Sequence, residues 1–335
     1  MRIILFILLA LTACAPDKAP AQIAEFPARK CINMANALNA PTEGDWGYVI
    51  KEQHIEAIAK AGFDSIRIPI AWSEHTASHA PYTIDPKFLA RVDEVVTQAL
   101  DNDLMIIIDV HNYEELDKNP KVETPRMRAI WRQIAWHYAN APDAVIFELL
   151  NEPMDKMSGK RWETLMRVLI TDIRKTNPNR WIIVGGDNWN SIDGLAKLEA
   201  SYDRRLVLTY HDYDPYDFTH QGASWFANAP PIGTEWGSAK QRENLAATVA
   251  KAASIQRRTG MPVWLGEFGV HKTAPASSRI KWIGAMREAA EANDIGWCVF
   301  DFAAEFAFWS PETQQWNQPL LDTLLGDDLQ LRKEH

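Results

Sequence analysis

The feature that most constrains the fold is an eightfold alternation of short apolar runs and amphipathic segments after residue 30. The apolar runs have the length of buried strands and occupy residues 31–38, 65–70, 104–111, 145–153, 181–187, 206–213, 262–270 and 296–303. Helical periodicity marks residues 51–61, 86–102, 127–140, 159–176, 239–259 and 278–293. Strands that alternate with helices pair in parallel. Eight such units in about 300 residues predict a single α/β domain, a (β/α)8 TIM barrel over residues 31–335.

A doubly wound parallel sheet is the alternative fold for this alternation. It is disfavoured because no Gly-rich turn follows the first apolar run, where such sheets commonly bind a dinucleotide.

The carboxyl-terminal ends of the apolar runs carry polar or aromatic side chains, whereas the runs begin apolar. These strand-end residues are Asn36, Arg67, His111, Asn151, Glu152, Trp189, His211, Tyr213, Glu267 and Phe300. Active sites of (β/α)8 barrels lie at the carboxyl-terminal ends of the strands. A purely structural pattern would scatter polar residues over both ends. We therefore predict that these side chains surround one cleft.

Two of the strand ends carry a glutamate, Glu152 after residues 145–150 and Glu267 after residues 262–265. A carboxylate at the end of a buried strand costs desolvation energy unless it is used or paired. Two carboxylates facing one cleft are the apparatus of glycoside hydrolysis, in which one protonates the leaving oxygen and the other attacks the anomeric carbon or activates water.

Glu148 is a third carboxylate on the same run as Glu152. It precedes Glu152 by four residues and so shares its face of the strand, about 13 Å deeper in the barrel. That depth is out of reach of a sugar. We predict a structural role for Glu148, paired with Arg67.

The first 13 residues have the pattern of a secretory signal peptide. Arg2 is followed by an apolar run at residues 3–11, which is too short to span a bilayer. The tetrad 11–14 (LTAC) resembles a bacterial lipobox, which predicts lipidation of Cys14. An ordinary signal peptide is the alternative. Residues 14–30 are rich in Ala and Pro and are predicted to be a spacer. The expected location is the periplasm or cell surface, with a lipid as the only membrane contact.

Cys31 and Cys298 are the two cysteines of the predicted barrel. They fall in its first and last strands, and export permits a disulfide. Spacing alone does not establish disulfide geometry, and buried cysteines are common as free thiols. We predict two buried thiols.

Charge and composition limit the classes of molecule that this protein is expected to bind. The net charge is −9 and no basic block occurs, which disfavours nucleic acid. No His pair has helical ligand spacing with a third partner, so no metal and no cofactor is expected. The 14 tryptophans are many for this length; core packing is the favoured role for most of them, and the rest are expected to line a groove and stack on ligands. The predicted partner is a neutral polysaccharide or oligosaccharide, bound by a monomer.

The strand-end residues lie in motifs that resemble glycoside hydrolase family 5, the retaining cellulase-type family. The similarity covers residues 32–309. Its landmarks are residues 33–38 (NMANAL), 64–72 (DSIRIPIAW), 109–111 (DVH), 151–153 (NEP), 211–213 (HDY) and 266–269 (GEFG), with 218–222 (FTHQG) resembling a loop of bacterial endoglucanases. Residues 151–153 alone are a weak signal, but six motifs in order at strand spacing are a strong one.

The resemblance implies roles for the strand-end residues. Glu152 would be the general acid/base and Glu267 the nucleophile, which Arg67 and Tyr213 would stabilise. Asn151 would bond the sugar 2-hydroxyl. The remaining substrate-binding positions would be Asn36, His111, Trp189, His211 and Phe300. For Trp72, packing and binding both stand as alternatives. Structural alternatives stand beside these roles, since Arg67 could only neutralise Glu148 and the two histidines could be core residues.

The eighth strand departs from the family pattern, because Phe300 stands where the family usually has a sugar-stacking tryptophan. A phenyl ring offers a smaller face, which affects substrate identity more than the reaction. The predicted function is a secreted, retaining endo-β-1,4-glucanase acting on cellulose-type glucan. The alternatives are a mannanase or mixed-linkage glucanase of the same family and, outside it, a non-catalytic carbohydrate-binding barrel.

Overall fold

A computed structural model describes residues 23–111, 113–200 and 203–326 of the chain. Its centre is a closed barrel of eight parallel strands, in which consecutive strands are neighbours and the first pairs with the last. The strands are β1 (Lys30–Asn33), β2 (Ser65–Ile68), β3 (Met105–Asp109), β4 (Val145–Glu148), β5 (Ile182–Gly185), β6 (Leu206–His211), β7 (Val263–Phe268) and β8 (Gly296–Val299). The predicted TIM barrel is confirmed.

Helices surround the barrel, and the longer ones bury an apolar face. They are α1 (Glu52–Ala61), α2 (Pro86–Asp101), α3 (Glu114–Lys118), α4 (Pro120–His137), α5 (Lys160–Arg174), α6 (Ile192–Lys197), α7 (Tyr216–Thr219), α8 (Ala239–Thr259), α9 (Ala276–Ala292) and α10 (Gln318–Leu325). In α2 the buried residues Phe88, Val92, Val95 and Ala99 recur every three or four positions, which is the spacing of one helix face. This apolar packing holds the barrel rigid around its strand ends.

The predicted helices are present, but five small elements were missed. These are α3, α6, α7 and a hairpin of β9 (Trp309–Ser310) and β10 (Gln315–Trp316). Elements of two to six residues complete too few turns or alternations to give a periodic signal. Helix α4 also begins at Pro120 rather than residue 127, with Pro125 inside it. A proline removes one helical hydrogen bond and obscures the pattern before it.

The base of the barrel, at the amino-terminal ends of the strands, is closed by the segment that leads into β1. Phe26 is 3% exposed, and its ring makes edge contacts with Trp181 and Trp264 at centroid distances of 5.4 and 5.9 Å. The backbone N–H of Arg29 donates to the Asp64 carboxylate at 3.0 Å. The predicted spacer, residues 14–30, therefore ends too late in the sequence. Because Phe26 is buried, the folded domain begins before residue 30.

Cys31 and Cys298 form a disulfide, with their Cα atoms 4.1 Å apart. The prediction of two free thiols was wrong. The two residues are direct register partners of β1 and β8, so barrel closure sets them opposite each other. The separation of the two cysteines along the sequence does not reveal how the first and last strands pair. The prediction failed for that reason.

The predicted signal peptide, Cys14 and most of the spacer lie outside the described residues. Within the described ranges, no helix combines the length and the apolar character needed to cross a bilayer.

Candidate active site

Two adjoining cavities open at the carboxyl-terminal ends of the strands. One has a volume of about 750 Å³ and is lined by Trp46, Trp225 and Phe300 among others. The other has about 530 Å³ and is lined by Trp189 and Phe226 among others. Glu152, Tyr213 and His220 line both cavities. The two cavities thus form one cleft whose middle carries a glutamate.

Glu152 and Glu267 face each other at this midpoint. A carboxyl oxygen of each and a ring nitrogen of His211 all lie within 4.8 Å of one another. Glu152 follows β4, and Glu267 lies in β7. The predicted pair of carboxylates is therefore brought together, at a distance that suits attack from one side of a sugar carbon and proton donation from the other.

Burial changes the protonation of Glu152 and its neighbour. Removal from water raises the pKa of Glu152 to about 7, against the opposing influence of His111 and Arg67. The Oε1 atom of Glu152 lies 2.7 Å from Nδ1 of His211, and burial lowers the pKa of His211 to about 4. His211 is thus neutral near pH 7, and Glu152 can carry a proton there, as a general acid must.

The Glu267 carboxylate accepts hydrogen bonds from two donors. Nη1 of Arg67 donates to Oε1 at 2.8 Å, and the Tyr213 hydroxyl donates to Oε2 at 2.9 Å. Charge-assisted bonds of this kind are among the strongest in proteins. Both donors were predicted from the sequence to serve this carboxylate.

Arg67 is fully buried and contacts three carboxylates. Burial by itself would lower its pKa, but Glu148, Asp109 and Glu267 together keep that pKa well above its ordinary value. Its Nε donates to Oε2 of Glu148 at 2.6 Å and its Nη2 to Oε1 at 3.0 Å. The predicted Arg67–Glu148 pair is confirmed. Because the same guanidinium also bonds Glu267, it does more than neutralise Glu148.

Asp109 belongs to the candidate site, although it was not among the site residues predicted from the sequence. One carboxylate oxygen accepts the backbone N–H of Ile70 at 3.0 Å, and the other lies 2.8 Å from Nη2 of Arg67 and 2.9 Å from Nδ1 of His111. Burial opposes a charge on His111, yet Asp109 raises the pKa of His111 above its ordinary value. The signal was available, since Asp109 precedes His111 by two residues at a strand end.

A β-bulge in β7 aims Glu267 into the barrel. Against β6 the register moves from Tyr210–Leu265 to His211–Glu267, so Gly266 is an extra residue. The pairing with β8 shifts over the same stretch, between Leu265 and Phe268. Bulges next to active sites redirect a side chain. A Cβ on Gly266 would meet Oγ1 of Thr209 at 2.6 Å, so only glycine fits.

The other predicted residues border the cleft in different ways. Oδ1 of Asn151 accepts from Nη2 of Arg67 at 2.8 Å, which fixes the amide plane. Asn36 has a left-handed backbone, with φ of 61°, and lines the larger cavity. Trp189 also has a left-handed backbone, with φ of 56°, and is 55% exposed on the smaller cavity. Its exposure leaves a ring free to stack.

Phe300 follows β8 and lines the larger cavity. Its ring makes edge contacts with Phe306 at 5.7 Å and Tyr213 at 6.5 Å. By contrast, Trp72 is fully buried and donates from Nε1 to the carbonyl of Asp109 at 2.9 Å. Trp72 therefore packs below the cleft and is removed from the binding candidates.

Several lining residues were not predicted. Glu114 begins the short helix α3, and the others come from loops: Asn39, Trp46, Trp225, Glu305 and Phe306. The Trp225 ring lies 5.4 Å from His271 and 6.0 Å from Phe306. Side chains from different loops are brought together only by tertiary packing, so no periodicity in the sequence predicts that they line the cleft.

Glu152, His211 and Glu267 also form the one trio of potential metal ligands among the described residues. Both oxygens of Glu267, Oε1 of Glu152 and Nδ1 of His211 already take part in hydrogen bonds or close polar contacts within the site. The chemistry of this set fits proton transfer and nucleophilic attack better than cation binding.

Comparison with known proteins identifies relatives over nearly the whole domain. The family described as Cellulase (glycosyl hydrolase family 5) matches residues 25–305. Endoglucanase H of Acetivibrio thermocellus is 31% identical over 94% of this chain, which spans 35% of that relative's length. Endoglucanase C of Acetivibrio thermocellus is 28% identical over 82% of this chain and 90% of its own length.

Solved structures agree with the sequence relatives. Thermotoga maritima Cel5A in complex with cellobiose is 35% identical, with a TM-score of 0.87, and the match covers 89% of this chain and 97% of that one. A mannotriose complex of the same protein matches equally well, with a TM-score of 0.87 at 35% identity. The cellulose synthase subunit Z of Clostridioides difficile is 33% identical, with a TM-score of 0.87 and coverage of 89% and 99%.

Proposed function

This chain belongs to glycosyl hydrolase family 5, and from that premise we propose that it is an endo-β-1,4-glucanase that cleaves cellulose-type glucan with retention of configuration. The observation that carries the proposal is the approach of Glu152 and Glu267 to within 4.8 Å at the midpoint of an open cleft. Retaining glycosidases place their two carboxyl groups about 5–5.5 Å apart. The named activity of the endoglucanase relatives supports the same reaction.

In the first step, the Glu267 carboxylate attacks the anomeric carbon and the glycosidic C–O bond breaks. Glu152 gives its proton to the departing oxygen, for which a pKa of about 7 is suited. The product of this step is a glycosyl ester of Glu267 and a shortened glucan.

In the second step, water attacks the anomeric carbon and Glu152 accepts the water proton. The ester bond breaks and Glu267 returns as a carboxylate. Arg67 and Tyr213 hydrogen-bond the leaving carboxylate, which stabilises the charge that returns to it.

An open cleft supports an endo mode of attack. The cleft has space on both sides of Glu152, with Trp46, Trp225 and Phe300 on one side and Trp189 and Phe226 on the other. Aromatic faces on both sides suit a chain that continues past the cleavage point.

The test combines substrates and variants. Purified protein would be screened on carboxymethyl cellulose, lichenan, glucomannan, xyloglucan and xylan, with products separated by length. Glu152→Gln and Glu267→Gln should each remove nearly all hydrolysis while the melting temperature stays near that of the wild type. Activity within about tenfold of wild type in either variant contradicts the assignment, since acid–base catalysis alone contributes roughly 10²–10⁴-fold.

A mannan is the second candidate substrate. The mannotriose complex of the Thermotoga maritima relative supports it, as does a phenylalanine at the position of Phe300, which leaves a smaller stacking face. Comparable values of kcat/KM on glucomannan and on β-glucan would support hydrolysis of both polysaccharides at this site. A mannan rate below about one hundredth of the glucan rate would reject it.

We also propose that the protein is exported and anchored by a lipid on Cys14. The apolar run at 3–11 and the lipobox-like tetrad support this location. The Cys31–Cys298 disulfide is the kind of bond that persists in oxidising compartments. Fractionation tests it: the wild type should partition into detergent, and Cys14→Ser should not. A wild-type protein that is soluble and begins at another residue contradicts the anchor but not the enzyme.

A further inference from the structure

Asn33, the last residue of β1, is fully buried beneath the catalytic pair. Its side-chain amide has an NH2 group that donates and an oxygen that accepts. A buried amide is stable only when both form hydrogen bonds. Its partners lie on three other strands, namely Arg67 in β2, Gly266 in β7, and Cys298 with Val299 in β8.

The amide nitrogen of Asn33 faces the bulge in β7. Nδ2 donates to the carbonyl of Gly266 at 3.2 Å, and the carbonyl of Val299 lies at 3.3 Å. Gly266 is the extra residue of the bulge and directly precedes Glu267. A bulge interrupts regular strand pairing, so this side-chain donor supports the backbone where the ladder is irregular.

The amide oxygen of Asn33 acts on the same glutamate by a second route. Oδ1 accepts a hydrogen bond from Nη1 of Arg67 at 2.8 Å. That nitrogen also donates to Oε1 of Glu267 at 2.8 Å. Asn33 therefore restrains the guanidinium nitrogen that directs one oxygen of the carboxylate.

We infer that Asn33 is a positioning residue, which fixes both the backbone bulge and the arginine that aim Glu267 at the anomeric carbon. The inference rests on the proposed role of Glu267 as nucleophile. It assigns Asn33 no contact with substrate, so its effect falls on the rate of attack rather than on binding.

A suitable probe is 2-deoxy-2-fluoro-β-cellobiosyl fluoride, which isolates the attack by Glu267. The C1–F bond breaks, fluoride leaves, and a C1–O bond to the carboxylate forms; the 2-fluoro group slows the subsequent hydrolysis. Mass spectrometry of peptides identifies the labelled residue. Label on a residue other than Glu267 contradicts the proposed function itself, which separates that failure from a failure of the inference.

Asn33→Ala should lower the inactivation rate constant on the order of 100-fold, because misplacement of a reacting group by about 1 Å costs that much. The concentration for half-maximal inactivation should stay within about threefold of wild type. A rate constant within about threefold of wild type in folded Asn33→Ala overturns the inference. Asn33→Ser, which leaves a smaller void, provides the second variant.

Asn177 provides a matched control. It is also buried, accepts from Nε of Arg180 at 3.3 Å and donates to the carbonyl of Ala135 at 2.7 Å, but it is not among the cleft residues. Asn177→Ala should lower the melting temperature without changing the inactivation rate constant. An equal loss of rate in both variants overturns the inference, as does failure of both Asn33 variants to fold when Asn177→Ala folds.

Discussion

The carboxyl groups of Glu152 and Glu267 approach to within 4.8 Å across the cleft. Inverting glycosidases keep the two groups about 6.5–9.5 Å apart to admit a water molecule between carboxylate and sugar. One oxygen of each carboxyl lies closer to the other than that range, which supports the proposed direct attack by Glu267. That attack has a stereochemical signature.

The first prediction is that the initial product keeps the β configuration. Two displacements at the anomeric carbon restore the starting stereochemistry. Proton NMR within the first minutes of hydrolysis should detect the β anomer before mutarotation. In Glu267→Ala, azide should partly restore turnover of an activated aryl cellobioside and give the α-glycosyl azide. An initial α product from the wild type would contradict the double displacement.

The pH profile should report the proton on Glu152. Its pKa is raised to about 7, so kcat/KM should fall as the pH rises through about 7, where the acid form is lost. The control is a 2,4-dinitrophenyl cellobioside, whose leaving group needs no proton. Its attack step should lack this alkaline limb. The same limb with both substrates would assign it to a different group.

Glu152 should also make stability depend on pH. Its pKa in the folded protein lies above the ordinary glutamate value, so between about pH 4 and pH 7 the folded state retains a proton that the unfolded state releases. Its contribution to stability is complete below about pH 4 and is lost as the pH rises through about 7. The melting temperature of Glu152→Gln minus that of wild type should therefore increase over this range. A constant difference would argue against the raised pKa.

Phe300 should contribute to sugar binding rather than to the core. Phe300→Ala should lower kcat/KM roughly two- to tenfold, the equivalent of a stacking contact of about 0.5–1.5 kcal/mol, and Phe300→Trp should be tolerated. Phe302 is fully buried and serves as the control, since truncation of a core phenylalanine costs about 3–5 kcal/mol of stability. A stability loss of that size in Phe300→Ala, with normal specific activity, would place Phe300 in the core.

The Cys31–Cys298 disulfide should stabilise the barrel. It joins residues separated by 267 positions, and loss of a native disulfide typically costs about 2–5 kcal/mol. Urea unfolding of Cys31→Ala/Cys298→Ala should report a decrease of that size in the free energy of unfolding. Alkylation of the denatured, unreduced wild type should leave both cysteines unmodified. Labelling of both would mean that the two cysteines are free thiols in the folded protein.

The barrel was predictable from the alternation of apolar runs and helical segments, and the grouping of most side chains of the candidate site from their position in those runs. Glu152, Glu267 and Tyr213 follow apolar stretches and Arg67 lies within the second run, and a barrel of parallel strands brings the carboxyl-terminal ends of its strands together. Asn33 and the bulge at Gly266 were missed because they depend on register between strands. The disulfide prediction failed for the same reason. Trp46 and Trp225 lie in loops, where tertiary packing decides which side chains reach the cleft.

Closure of the barrel base by Phe26 fixes where the chain leaves the domain. Phe26 packs on Trp181 and Trp264 at the amino-terminal ends of the strands, whereas the cleft opens at the opposite end. If Cys14 carries the proposed lipid, the anchored part of the chain would therefore enter the domain on the side opposite the cleft, and the cleft would stay accessible to polymer that approaches from solution.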